Sequence, residues 1–205
     1  MKLLGTPASP YVRKVRLVLE EKHIPYEYLL TPPLQREAMV VPLNPLGKIP
    51  VLVCDNGRAI YDSPVIVEYL DGLVAEPELI PRTFDERIEV KRWEALGDGI
   101  ADATVLISHD YRKPDAKRET AEWYERQRQK IHRGLAAMSK DLGDRKFCYG
   151  GSFTLADIAA GFAMGYLDQA LPELDWRTPH PRLSQLAERL AVRGSFRKTL
   201  PAKAV

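Results

Sequence analysis

Three short segments carry residues whose types and spacing can do chemistry. In Thr6-Pro7-Ala8-Ser9-Pro10-Tyr11-Val12 a strand-like run gives way to a helical one, and Ser followed by Pro is the pairing that favours N-cap and first-turn positions. A helix start presents unpaired N–H groups and the positive end of the helix dipole, so an anionic ligand fits there. The same pair is also a common purely structural cap. In Asn44-Pro45-Leu46-Gly47-Lys48-Ile49-Pro50-Val51-Leu52-Val53 a proline stands directly before an apolar strand and after a Gly-containing turn, a plausible place for a cis peptide. In Ile60-Tyr61-Asp62-Ser63-Pro64-Val65-Ile66 another strand passes into a helix. Asp62 or Ser63 is the expected cap, and both can hold a carboxylate or an ammonium group of a ligand as readily as they cap backbone.

The elements that must position these segments alternate. Lys2 to Thr6 reads as a strand; Val12, Val15, Val18 and Leu19 then recur at helical spacing, with Arg13, Lys14, Arg16, Glu20 and Glu21 on the other face. Tyr26 to Leu30 is a second strand, reached after Pro25 has ended the helix. The stretch around Leu34 to Val40, hemmed in by Pro32, Pro33, Pro42 and Pro45, has no firm assignment. Val51 to Cys54 and Ala59 to Tyr61 form a hairpin around Asn56-Gly57, and Asp62 to Asp71 is helical. Periodicity lapses between Leu73 and Arg82, as in a linker. Beyond it, Glu86 to His109, Ala116 to Leu142, Thr154 to Leu171 and Pro181 to Ala191 all read as helix. The expected architecture is a small α/β domain, residues 1–75, followed by an all-α bundle, residues 83–205.

Composition narrows the class. Hydrophobic residues at 45% and charged residues at 28% are ordinary for a soluble globular protein, and a net charge of +2 singles out neither nucleic acid nor a membrane surface. Cys54 and Cys148 have no CxxC spacing, which excludes a disulfide framework or a cysteine zinc site. No apolar run is long enough for a signal peptide or a bilayer span, so a cytoplasmic location is expected. His23, His109, His132 and His180 include no pair at metal-ligand spacing, and no metal is expected.

Taken together, Thr6-x-x-Ser9-Pro10-Tyr11-Val12-Arg13-Lys14, Asn44-Pro45-Leu46-Gly47-Lys48-Ile49-Pro50-Val51-Leu52 and Asp62-Ser63-Pro64-x-Ile66 resemble the glutathione S-transferase superfamily over essentially the whole chain, most closely its small bacterial, serine-type branch. The resemblance implies a thioredoxin-like first domain that binds glutathione as co-substrate. Ser9 would lie beside the glutathione sulfur; Ile49, next to cis-Pro50, would pair its backbone with the cysteinyl unit; Lys48 would meet the glycine carboxylate. Asp62 and Ser63 would hold the γ-glutamyl end. In the segment Asp98-Gly99-Ile100-Ala101-Asp102, Asp102 would reach across a homodimer to the glutamyl ammonium, although a solvated helical carboxylate is an equally good reading. Thr154 and Asp157 match a capping box, with Leu155, Ile158, Ala159, Phe162 and Tyr166 along one helical face, and are assigned to folding rather than catalysis. Trp93, Tyr111, Trp123, Tyr124 and Trp176 fall in the helical half, mostly as core.

The activity so implied is detoxifying transfer of glutathione to a hydrophobic electrophile. A stress or carrier protein that binds glutathione without turnover, and a protein-interaction module on the same fold, use the same scaffold. The presence of Lys48, Asp62 and Ser63 weighs against the last.

Overall fold

In the computed structural model, which describes residues 1–200, the strands β1 (Lys2–Gly5), β2 (Glu27–Leu30), β3 (Val51–Val53) and β4 (Ala59–Ile60) form one sheet in the order β2-β1-β3-β4. β1 and β2 run parallel, and the helix α1 (Pro10–Glu21) makes the crossover that parallel neighbours require. β3 returns antiparallel beside β1, and β4 pairs antiparallel with β3 through the turn at Asn56-Gly57. Period-two alternation puts Leu4 and Val51 on one face of the sheet, where they pack with Val40. Val40 follows the short helix α2 (Arg36–Met39), so the Pro-rich stretch left open above folds to cover that face. Leu3, Leu52 and Ile60 share the opposite face and are equally buried. Helix α3 (Ser63–Leu73) packs on α1.

Gly5 ends β1 where α1 crosses closest. A Cβ there would lie 2.5 Å from a methyl of Val12, so only glycine permits this approach of helix to strand.

The chain divides into two units, Met1–Ile80 with the segment from Arg193, and Pro81–Val192. The second consists of α4 (Phe84–Asp110), α5 (Ala121–Leu142), α6 (Leu155–Ala170) and α7 (Pro181–Ala191). α4 and α5, and α4 and α6, are its principal packing pairs. Trp93 and Trp176 are core, as expected, whereas Tyr111, Trp123 and Tyr124 are only half-buried.

Four details differ from the sequence expectation. The segment from Arg193, expected to belong to the helical domain, groups with the first unit and contains a helix, α8 (Gly194–Lys198), that no periodicity signals in so short a stretch. Helix α5 begins at Ala121 rather than Ala116, because the Thr120 hydroxyl accepts from the Trp123 amide at 3.2 Å and starts the helix there. Helix α6 is buried on every side from Leu155 to Met164, not along one face. Most consequentially, the charged face of α1 is not solvated: Arg13, Lys14 and Glu21 are all buried.

Candidate functional site

The pairing registers bring the three chemical segments to one place. Gly5 pairs with Leu30, Leu4 with Val51, and Leu52 with Ile60. The carboxyl end of β1, the start of β3 and the end of β4 therefore share one edge of the sheet. Thr6–Ser9 leaves β1 at that edge, Ile49-Pro50 enters β3 there, and Asp62-Ser63 leaves β4 there.

Ser9 is the N-cap of α1 and is half-buried. Its amide donates to the Thr6 carbonyl at 3.1 Å and its carbonyl accepts from the Arg13 amide at 3.1 Å, which fixes the backbone. Its Oγ accepts from the Val12 amide at 3.3 Å. A hydroxyl that accepts at oxygen still has a proton to donate, so the Ser9 O–H can point to a ligand. No acidic side chain occupies the first turn of α1, and its dipole is left uncompensated. Nearby on the helix, burial and the neighbouring Arg16 push the Arg13 guanidinium down to about 10.

The Ile49–Pro50 peptide is cis, as the sequence suggested. Its approach is shaped by Asn44, a residue that sequence reasoning quoted but gave no role. Asn44 is buried; its Nδ2 donates to the Lys48 carbonyl at 2.8 Å, its Oδ1 accepts from the Leu46 amide at 3.0 Å, and its carbonyl accepts from the Gly47 amide at 2.9 Å. Gly47 takes a φ of +62°, which a glycine adopts without penalty. An Asn opening a Pro-x-Gly turn was the signal available in the sequence. The result is an exposed Lys48 and a half-buried Ile49 at the edge of the sheet.

Asp62 takes the N-cap position of α3, but its side chain makes no capping bond and is exposed. Ser63 is buried as the first helical residue. Ser9, Lys48, Ile49, Pro50, Asp62 and Ser63 are thus gathered by the sheet. Asp102 is not among them: it lies on α4 in the second unit, exposed.

The other helix start with a side-chain cap singled out by the sequence is closed. Thr154 Oγ1 accepts from the Ala156 amide at 3.3 Å, while Asp157 accepts from the Thr154 amide at 3.0 Å and the Cys148 amide at 2.9 Å. Both residues are buried. Burial pushes the Asp157 carboxyl up despite these bonds, and burial with the adjacent Asp157 pushes the Cys148 thiol up. This start holds backbone together and offers nothing to a ligand.

A cleft of about 720 Å3 lies at the opposite edge of the sheet, lined by Met1, Lys2, Tyr26, Val53 and Asp55 among others. It contains none of the six gathered residues. Among the described residues no cluster of His, Cys, Asp and Glu could hold a metal ion, and no helix is long and apolar enough to cross a membrane.

The fold agrees with the relationships of the chain. Residues 3–78 match the N-terminal domain model of glutathione S-transferases and residues 121–189 the C-terminal domain model. The chain is 38% identical to the uncharacterized GST-like protein YibF of Escherichia coli (strain K12) over the full length of both. A glutathione S-transferase from Methylobacterium radiotolerans, solved in complex with glutathione sulfonate, superposes with a TM-score of 0.92 at 42% identity, covering 100% of this chain and 96% of that one. Another, from Methylobacillus flagellatus with glutathione bound, gives 0.93 at 43% identity, covering 98% and 99%. The chain belongs to the glutathione S-transferase family.

Proposed function

We propose that the first unit binds glutathione at the sheet edge and activates its thiol for attack on a hydrophobic electrophile. One observation carries the reading: Ser9 Oγ is held by the Val12 amide at the open start of α1, on the same edge as the cis-Pro50 turn and Asp62. The Ile49 backbone would pair with the cysteinyl unit, Lys48 would meet the glycine carboxylate, and Asp62 and Ser63 would bind the γ-glutamyl group. The solved relatives with glutathione or glutathione sulfonate bound support this ligand.

The energetics are sufficient. A free cysteine thiol with a pKa of about 8.5 is roughly 3% thiolate at pH 7. Lowering that pKa by about two units takes about 2.7 kcal/mol of preferential thiolate stabilisation. A helix N-terminus supplies up to about 1 kcal/mol, or about 2 when partly buried, and a hydrogen bond to a charged acceptor about 1.5 to 3. Ser9 and its helix together can therefore produce a mostly ionised nucleophile at neutral pH. The thiolate sulfur then forms the new bond to the electrophilic carbon, and the displaced group leaves with the electron pair. A serine hydroxyl forms no mixed disulfide, so the reading excludes thiol–disulfide exchange through this residue.

The proposal includes a homodimer, in which Asp102 would reach the partner's glutamyl ammonium; sedimentation with and without glutathione tests it. The central experiment is an ultraviolet thiolate titration of bound glutathione. A depressed pKa in the wild type that rises in Ser9→Ala, with turnover of model electrophiles falling in parallel, is the expected result. An identical titration in both proteins removes Ser9 from the chemistry, and binding without turnover of any electrophile reduces the protein to a carrier.

A further inference from the structure

Glu21 is the last residue of α1 and is buried. A carboxylate at a helix C-terminus faces the negative end of the dipole, and burial strips its hydration as well, so two local rules oppose it. Compensation comes from far along the chain. Arg193 Nε and Nη2 donate to the two carboxylate oxygens at 2.6 Å each, and the Ser195 hydroxyl donates to Oε1. The next residue, Lys22, caps the helix with its side chain fully buried. Its ammonium meets the Asp71 carboxylate at 2.6 Å and donates to the carbonyls of Val74 at 2.5 Å and Asp71 at 3.2 Å. Asp71 in turn accepts from the amides of Leu79 at 3.1 Å and Ile80 at 3.2 Å.

Ile80 is the last residue before the chain leaves the first unit, and Arg193 is the first after it returns. Two adjacent residues on one helix thus tie down both ends of that excursion. The returning segment continues along α1: Lys198 pairs with Glu20 at 3.1 Å, Arg16 donates to the Lys198 carbonyl at 3.3 Å, and the Arg13 guanidinium lies 5.8 Å above the Phe196 ring. α1 has 12 residues and is about 18 Å long, with Ser9 at its far end. Val12, one turn in from Ser9, is seated closely on Gly5 of β1. A displacement at Glu21 therefore tilts the helix about that seat and re-aims Ser9 at its start.

We propose that Glu21 is a positioning residue for the Ser9 site: through Arg193 and Ser195 it holds the C-terminal segment on α1 and so fixes where the start of that helix sits. Its catalytic consequence rests on the glutathione reading given above.

The test compares wild type, Glu21→Gln, Arg193→Ala and the double exchange Glu21→Arg with Arg193→Glu. Amide hydrogen exchange at Val12 and Arg13 is measured without ligand, and the thiol pKa of bound glutathione with it. Both single variants should exchange at least about tenfold faster at Val12 and Arg13 while Val51–Val53 keep their protection. Their thiolate fraction at pH 7 should fall about threefold, and the double exchange should restore both readouts. If the singles lose melting temperature alone, with exchange and thiol pKa as in wild type, Glu21 is only a structural tie and the proposal fails. Should either single variant not fold, Ser195→Ala, which removes one hydrogen bond, provides the same comparison. A wild type whose bound glutathione keeps an ordinary thiol pKa overturns the activation reading alone; the positioning role is then decided by exchange at Val12 and Arg13.

Discussion

Three helices among the described residues start with a hydroxyl cap, and two of them, at α1 and α6, differ in what surrounds the cap. At α6, Thr154 accepts one amide, Asp157 two more, and the start is sealed in the interior. At α1, Ser9 accepts one amide, no acid follows in the first turn, and the residue is half-exposed at a sheet edge. The difference lies in what fills the dipole's positive end. A protein carboxylate fills it at α6; at α1 no acid of the first turn does, and in the proposed function the glutathione sulfur takes that place. A cap motif alone does not reveal a binding site; a cap without its own counter-charge leaves room for an anionic ligand.

The largest effect that separates the two starts is on folding. Asp157→Ala should destabilise by about 3 kcal/mol, because it strips two buried amides of their acceptor, and this is measured by chemical denaturation. Ser9→Ala should lose only about 1 kcal/mol in the same assay, the usual loss of an exposed cap. If the two losses are equal, the contrast between a sealed and an open start breaks. The order should reverse in chemistry: Ser9→Ala should lower turnover at pH 6.5 by roughly 10- to 100-fold through a raised thiol pKa, while folded Asp157→Ala should turn over as wild type. Lys48→Ala and Asp62→Asn sharpen the comparison further, since each should weaken glutathione binding roughly 3- to 10-fold by calorimetry without affecting denaturation midpoints.

The smallest effect is in pH dependence. The Ser9 cap does not titrate, whereas burial pushes the Asp157 carboxyl above its unfolded value of about 3.9. Between those two values the native state holds more protons than the unfolded chain, so Asp157 contributes stability at low pH that declines as pH rises toward its native pKa. The stability of wild type relative to Asp157→Asn should therefore fall from pH 4 upward and then level off. A difference that instead grows with pH over that range would mean the amide bonds outweigh burial.

What was legible in the sequence was local. Ser9-Pro10, the turn before Pro50, the hairpin at Asn56-Gly57 and the Thr154–Asp157 box each declare themselves within a few residues, because caps and turns are satisfied by neighbours. The strand registers that gather Ser9, Ile49-Pro50 and Asp62-Ser63 could be expected only from the resemblance to a known family. What was not legible involves partners distant in sequence. Arg13, Lys14 and Glu21 read only as the polar face of the helix, since nothing near them discloses that Arg193, Ser195 and Phe196 close over α1. Asn44 was overlooked for the opposite reason: its partners are four residues away or fewer, but an Asn in a Pro-rich loop has many possible roles.

The approach of Val12 to Gly5 also constrains how such a chain can drift over evolutionary time. With only 2.5 Å between a Cβ at position 5 and the Val12 methyl, any side chain gained at 5 demands volume surrendered at 12. Among relatives the two positions should change as a pair or not at all. A lineage that changed one alone would shift the helix that carries residue 9, and with it whatever that residue serves.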